Sequence, residues 1–201
     1  MKRLVLASAN PGKLREIRAI LAPLKVEVIP QAELGVGETE EPHDTFLENA
    51  LVKARHASRE SGLPAFADDS GLCVPVLGGD PGVHSAYYAG REGDREERDA
   101  KNNAKLLDEL AKYADRRAYY ACVVVLVRHA NDPRPLVAEG IWRGEIAAAP
   151  RGEGGFGYDP LFLVPGTGRT AAELDSAAKN GISHRGLALS RLIERLRDDE
   201  D

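Results

Sequence analysis

The stretch Tyr119-Tyr120-Ala121-Cys122-Val123-Val124-Val125-Leu126-Val127 carries no charge and no polar–apolar alternation. A strand with one wet face alternates, so a near-continuous β-branched run reads as a strand covered on both faces. That requirement restricts the chain to a layered fold with helices on either side of a sheet, an α/β protein. A covering element stands near the start. Leu14, Ile17, Leu21 and Leu24, with Ile20 beside them, recur at three- and four-residue steps after the turn signal Asn10-Pro11-Gly12. They predict an amphipathic helix behind a short strand at residues 3–7. Aromatic residues make up 5% of the 201 residues against 43% hydrophobic residues, so the core is expected to be aliphatic.

Residues 25–30 alternate, with Val26 and Val28 apolar, and read as a second strand. A polar loop over residues 33–43 carries Glu38, Glu40 and Glu41. Thr45-Phe46-Leu47-Glu48 has the form of a capping box. The helix it opens places Phe46, Ala50, Ala54 and Ala57 on one face and ends at Gly62. Apolar segments between residues 64 and 77 surround Asp68-Asp69-Ser70-Gly71. Residues 92–114 predict a charged helix with Leu106, Leu107 and Leu110 inward, and residues 136–147 two short strands around Gly140 and Gly144. Residues 161–164 form a short buried strand, and the C-terminal region is a helix interrupted at Asn180-Gly181 that restarts at Ser183. No linker, repeat or composition break divides residues 1–201, so one α/β domain with a mixed sheet is expected, bilobed at most.

Charge narrows the partners. Lys plus Arg number 27 against 32 Asp plus Glu, a net charge of -5. Duplex nucleic-acid binders draw their affinity from neutralising phosphates, so no nucleic-acid partner is expected. A small phosphorylated ligand is compatible, because a cleft can be locally basic on an acidic protein. Cys73 and Cys122 lie far apart in apolar stretches at no metal-ligand spacing and read as buried thiols of a reducing compartment. The start imitates a secretory leader down to Ala7-Ser8-Ala9, but its apolar run, Leu4 to Ala7, is too short for a leader core of ~7–15 residues. No run approaches the ~20 apolar residues of a membrane span. A soluble, cytoplasmic protein without a membrane partner is expected.

Five segments could carry chemistry. Ser8-Ala9-Asn10-Pro11-Gly12-Lys13 lies between strand and helix, where backbone N–H groups favour an anion and the lysine adds a charge. It lacks the longer glycine loop of a Walker A motif, and an ordinary surface turn is the plainer reading. Asp68-Asp69 sits inside an apolar stretch, where carboxylates are costly to bury unless cations or donors meet them. Successive strand residues face opposite sides, so a regular strand sends only one of the two into a given cleft. Such oxygen ligands suit Mg²⁺, which also binds substrate phosphates. The Glu-rich loop is a solvated acidic loop unless it folds beside Asp69. Gly152-Glu153-Gly154-Gly155-Phe156-Gly157 matches G-x-G-x-x-G by letter, but Pro160 follows instead of a helix. It reads instead as a loop presenting Phe156, Tyr158 and Asp159 to a flat ligand, where stacking on a base is worth ~1–3 kcal/mol. Finally, Ser183 is a natural N-cap, whereas His184 and Arg185 oppose the helix dipole in a first turn. With Lys179 nearby, that pair makes sense if an anion or an oxo group sits at the helix mouth.

Taken together, these blocks resemble the non-standard purine NTP pyrophosphatase family, the dITP/XTP or inosine triphosphate pyrophosphatases. The resemblance runs from Leu4 to about Leu196. It is carried by Ser8-Ala9-Asn10-Pro11-Gly12-Lys13, Thr45-Phe46-Leu47-Glu48-Asn49-Ala50, Ala67-Asp68-Asp69-Ser70-Gly71-Leu72, Phe156-Gly157-Tyr158-Asp159-Pro160 and Ser183-His184-Arg185-Gly186-Leu187-Ala188-Leu189. It implies an elongated mixed sheet flanked by helices, two lobes with a central cleft, and a homodimer. It implies Mg²⁺-dependent hydrolysis of ITP, dITP and XTP to the monophosphate and pyrophosphate, cleansing the nucleotide pool. By position, Ser8, Ala9, Asn10, Pro11, Gly12 and Lys13 would bind the triphosphate, joined by Lys53. Asp69 would be metal ligand and proton acceptor supported by Asp68, and an acid of the pair Glu40 and Glu41 would complete the metal site. Ser70, Phe156, Gly157, Tyr158, Asp159, Lys179, His184 and Arg185 would hold the nucleotide. In one departure, Tyr87 stands where the family commonly has an arginine, with Arg91 close in sequence.

Base choice follows as a polar-recognition problem. Donors aimed at a 6-oxo group, Arg185 among them, would meet the 6-amino group of adenine mismatched, a discrimination that can reach roughly 10⁴–10⁵. Two alternatives stay open: a pyrophosphatase for other modified or standard NTPs, and a nucleotide-binding module without turnover.

Overall fold

The structure is a computed structural model that describes residues 3–24 and 26–198. Met1 and Lys2 of the leader-like start and Lys25 of the expected second strand lie outside the described residues, as do the last three. The chain runs β1 (Arg3–Leu6), α1 (Pro11–Leu21), β2 (Glu27–Pro30), α2 (Phe46–Ser61), β3 (Ala65–Cys73), α3 (Arg95–Leu110), β4 (Arg117–Val127), β5 (Leu136–Ile146), β6 (Phe162–Leu163), α4 (Ser176–Ile182) and α5 (His184–Asp198). The strands form one mixed six-stranded sheet in the order β2-β1-β3-β4-β5-β6. β1 pairs parallel with β2 (Arg3↔Glu27 to Leu6↔Pro30) and with β3 (Val5↔Ala65, Leu6↔Phe66), whereas β5 and β6 are antiparallel.

The chain divides into two compact units: residues up to Asp69, Cys122–Gly140 and from His184 onward in the first, Ser70–Ala121 and Ile141–Ser183 in the second. In the first unit the apolar run from Cys122 to Val127 is covered on both faces. Cys122, Val124 and Leu126 pack with Ile17 and Leu21 of α1 and Ala188, Leu189 and Leu192 of α5. The alternate residues Val123, Val125 and Val127 pack with Ala50, Ala54 and Ala57 of α2. The small residues of α2 are what let a helix lie close on β-branched side chains. Thr45 caps α2 by accepting from the Glu48 N–H, and Gly62 ends it in the left-handed conformation (φ 69°). The carboxylate of Glu48 meets the Thr45 hydroxyl at 2.6 Å.

The second unit departs from the aliphatic expectation. Tyr120, Trp142, Tyr158 and Phe162 share one cluster with Leu106 and Leu110 of α3, and the Tyr120 and Phe162 ring centroids stand 4.7 Å apart. Few aromatics are enough when they are gathered in one place. Residues 136–146 form one strand rather than two. Gly144 does not interrupt it: a Cβ there would lie 2.4 Å from the Leu163 carbonyl oxygen, so the glycine lets β6 come alongside. The charged helix is shorter at both ends than residues 92–114, because Asp94 and Glu97 build a capping box that starts it at Arg95.

Candidate active site

In β3 the alternation of the pleat decides the fate of the two acids. Phe66 faces the side covered by α1 and α5, and Ala65 and Ala67 face the side covered by α2. Asp68 therefore emerges among α1 and α5 residues, and Asp69 under α2. Asp68 Oδ2 lies 3.0 Å from Lys13 Nζ and 3.2 Å from both Nε and Nη2 of Arg185. The fully buried guanidinium of Arg185 also pairs with Glu16. Burial pushes the Asp68 carboxyl up, but Lys13, Arg185 and Lys53 outweigh it and hold the group well below the usual carboxylate range. Cys122 Sγ sits 4.0 Å from the same carboxylate, and burial first, then Asp68, push its thiol up to about 12. That cysteine is an inert core thiol.

Asp69 has the opposite balance. Its Oδ1 accepts from Lys53 Nζ at 2.9 Å, and Lys53 also reaches Glu41 Oε2 at 3.1 Å. Burial is the largest influence on Asp69. With Glu41 adding repulsion, it prevails over Lys53 and Lys13 and raises the carboxyl to about 6. Burial likewise opposes the charge on Lys53, but three carboxylates, Asp69, Glu41 and Asp68, surround it and raise its pKa. Asp69 Oδ2 is buried with no hydrogen-bond partner among the described residues. A buried carboxylate oxygen without a donor is a costly arrangement that a cation would relieve.

The same residues test the expected Mg²⁺ site. No three His, Cys, Asp or Glu side chains converge at ligand spacing among the described residues. Mg²⁺ needs fewer, however: one or two carboxylates, with waters and substrate phosphates completing the shell. Asp69 with its orphaned oxygen and Glu41 on the same lysine fit that pattern. Both glutamates are exposed, and it is Glu41 whose carboxylate reaches Lys53, the lysine that Asp69 also holds. The acidic loop does fold beside the strand acid, the condition on which its role depended.

At the first expected segment the helix start is partly closed to anions. Asn10 Oδ1 accepts from the N–H groups of Gly12 (2.9 Å) and Lys13 (3.1 Å), and Pro11 has no N–H to offer. The Asn10 N–H itself points to Ser8 Oγ at 3.2 Å. Capping chemistry thus takes the donors expected for a phosphate, and the lysine side chain is the cation this segment presents. Ala9 and Pro11 are exposed and Gly12 is buried. His184 and Arg185 open α5 and are both buried, and Arg185 serves the Asp68 carboxylate instead of standing at an open helix mouth.

In the second unit, the loop after Gly155 is built around Asp159. Its Oδ2 accepts from the Phe156 N–H at 2.9 Å and from Lys179 Nζ at 2.7 Å, in an ion pair buried on both sides. Gly155 stands at φ +73°, and a Cβ there would lie 2.1 Å from that same oxygen, so only glycine permits the turn. Lys179 Nζ and the Arg95 guanidinium lie 5.1 and 4.8 Å from the half-buried Phe156 ring, at cation–π distance. The Tyr158 ring does not join it, contrary to the expectation of a second stacking aromatic. It lies in the apolar cluster with its hydroxyl donating to the Ser85 carbonyl at 2.9 Å. Ser70, half-buried in β3, is in this unit as well. Tyr87, in place of an arginine, carries the Arg91 guanidinium over its ring at 4.2 Å.

Four supporting residues escaped the sequence reading. Glu16, one turn after Lys13 on α1, could have been found from that spacing. Asp99 and Asn103 of α3 grip the Gly157 peptide, one accepting from its N–H at 2.8 Å and the other donating to its carbonyl at 2.9 Å. Their (i, i+4) spacing carries no hint of a partner more than fifty residues away. Asn49 belongs to a quoted motif, but nothing around it in sequence assigns it a task.

A model of the Ham1 family matches residues 4–195. A dITP/XTP pyrophosphatase of Ralstonia nicotianae is 64% identical over 98% of both chains, and one of Nitrosomonas europaea 58% identical over 100% of this chain and 97% of its own. The structure of a Ham1 protein from Coxiella burnetii superposes with a TM-score of 0.90 at 50% identity, covering 98% of this chain and all of the other. That of the Staphylococcus aureus Ham1 protein gives 0.85 at 38% identity, again over 98% of this chain and all of the other. With sequence and fold agreeing over nearly every residue, the chain belongs to the Ham1 family.

Proposed function

We propose that this chain is a hydrolase of non-standard purine nucleoside triphosphates, ITP, dITP and XTP, releasing the monophosphate and pyrophosphate. Kinship with dITP/XTP pyrophosphatases supports the reaction and the substrate class. The observation that carries the chemistry is Asp69, a buried carboxylate with one oxygen on Lys53 and the other without a donor. Cleavage between the α- and β-phosphates needs a water made nucleophilic and charge neutralised on the leaving pyrophosphate. A carboxylate raised to about 6 is a competent proton acceptor at neutral pH, still ionised yet more basic than an ordinary aspartate. Lys13 and Lys53 offer the polyphosphate two ammonium groups, each held ready by an aspartate of β3.

Asp69 and Glu41 would hold Mg²⁺, which when bound supplies charge neutralisation on the phosphate oxygens and orders a water. Asp68 stays ionised throughout, and its task is to fix Lys13 and Arg185. In the second unit Phe156 would stack on the purine, its loop fixed by Asp159 and Lys179, with Ser70 a further contact to the nucleotide; His184, of the first unit, would be another. The family likeness is also the ground for reading the chain as one functional domain working as a homodimer, and the thiols and short apolar start are the ground for placing it in the cytoplasm. Pyrophosphate release from ITP in Mg²⁺, abolished by EDTA and by Asp69→Asn and much slower with ATP, tests the reading. Near-normal turnover of Asp69→Asn, or equal use of ATP, would defeat it.

A further inference from the structure

The acidic loop poses a mechanical problem. Between the turn at Gly35 and the start of α2 at Phe46 it has no helix or strand, and it carries Glu38, Glu40 and Glu41. Glu41 and the buried Asp69 nevertheless meet the same Lys53 ammonium, at 3.1 and 2.9 Å, so like charges are held together against their repulsion. Lys53 attracts both, but in the proposed reaction Lys53 also serves the polyphosphate. Something other than the lysine must keep the loop in place.

Asn49 has the required geometry. It lies one turn into α2, 2% exposed, and turns its side chain to the loop backbone. Its Oδ1 accepts from the His43 N–H at 3.0 Å and its Nδ2 donates to the His43 carbonyl at 3.0 Å. A carboxamide carries an acceptor and a donor side by side, so it can satisfy both sides of a single residue's backbone at once, as a neighbouring strand would. A buried amide in a helix is costly without partners, and the polar contacts of this one go to the loop. His43 is two residues from Glu41, and Lys53 follows Asn49 at the (i, i+4) spacing that puts both on one stripe of α2. The other end of the loop is tied as well: the Gly37 carbonyl accepts from Gln31 Nε2 at 3.3 Å and lies 3.0 Å from His56 Nε2.

We infer that Asn49 is a positioning residue that sets Glu41 beside Asp69 and thereby gives the divalent cation its second carboxylate. The inference rests on the reading of Glu41 and Asp69 as the cation's ligands. Outer partners of metal ligands typically change metal affinity by roughly 10–100-fold when removed. The test measures Mn²⁺ binding to the full-length protein directly, by the loss of the free-ion spin-resonance signal, in wild type, Glu41→Gln and Asn49→Ala. Both variants are expected to bind Mn²⁺ at least about tenfold more weakly. Asn49→Ala should also need more Mg²⁺ for half-maximal ITP hydrolysis while regaining most of kcat at saturating Mg²⁺.

If Glu41→Gln binds Mn²⁺ as wild type does, the ligand reading itself fails. If Glu41→Gln is weakened and Asn49→Ala is not, even when Asn49→Ala melts earlier, the positioning role alone is overturned. Should Asn49→Ala not fold, amide exchange in the wild type decides. Exchange at the His43 N–H, expected to be slow because Asn49 accepts from it outside helix and strand, should slow further with Mg²⁺. No response to Mg²⁺ there would overturn the inference.

Discussion

Adjacent aspartates on one strand should respond to the same substitution with opposite signs. Asp69 has its carboxyl raised from 3.8 to about 6 on folding, mainly by burial. Between those values the native state holds a proton that the unfolded chain has released, so stability falls as pH rises. The contribution is intact below pH ~4 and lost once pH has passed ~6, and a shift of about two units corresponds to ~3 kcal/mol at most. Asp69→Asn removes that loss. In EDTA the variant should gain on wild type from pH ~4 to pH ~6 and hold that gain up to pH 7.5. At ~2–4 °C per kcal/mol for a chain of this size, its melting temperature should end several degrees higher, and no more than ~12 °C. Lys53 keeps Glu41 and Asp68 in the variant, which limits the loss on the other side of the pair. Asp68 is held low instead, so its stabilisation is full above pH ~4 and lost as pH falls further. Asp68→Asn strips the buried Arg185 of its partner on β3 and should cost ~3–5 kcal/mol at neutral pH, as breaking a buried pair does. Melting curves of the three proteins at half-unit pH steps settle the matter. If the interval between Asp69→Asn and wild type did not widen with pH, or if both variants moved the same way, the account of β3 would be wrong.

Gly140→Ala should destabilise and displace α5: the new Cβ would stand 2.0 Å from the His184 carbonyl oxygen and 2.6 Å from the Ala188 nitrogen, both rigid backbone. Overpacking of this kind costs ~1–3 kcal/mol, so a melting temperature within a degree of wild type would contradict the close approach. Asp99→Ala and Asn103→Leu each remove one hold on the Gly157 peptide. Each hydrogen bond is worth ~0.5–1.5 kcal/mol, so steady-state kinetics should show KM for ITP raised on the order of two- to tenfold, with kcat nearly unchanged. A fall in kcat without a change in KM would place α3 in the chemistry instead.

How far this was legible in the sequence depended on whether the physics was local. The covered strand at residues 119–127, the cap at Thr45 and the division of Asp68 from Asp69 all follow from the pleat or from a few neighbouring residues. Single-strand continuity through Gly140 and Gly144 did not, because those glycines answer to α5 and β6 and not to their own strand. Tyr158 was legible as an aromatic near a ligand loop but not as a core residue, since its hydroxyl partner, Ser85, lies far back in the chain. Arg185 showed the same limit. Its sequence context marks it as a cation at a helix start, and only the fold reveals that Asp68 and Glu16 take its donors.

The two aspartates also explain why such a strand is kept. Asp68 has Lys13 and Arg185 in contact and stays charged, while at Asp69 burial and Glu41 prevail over the lysines. A ligand that brings positive charge to Asp69 and negative charge to Lys13 and Lys53 relieves that imbalance, and any species bound by the native state alone stabilises it by mass action. The cost of ionising Asp69 in the empty protein and the gain on binding cation and polyphosphate are then two sides of one linkage. Mg²⁺ should accordingly flatten the pH dependence of stability in wild type and leave that of Asp69→Asn unmoved.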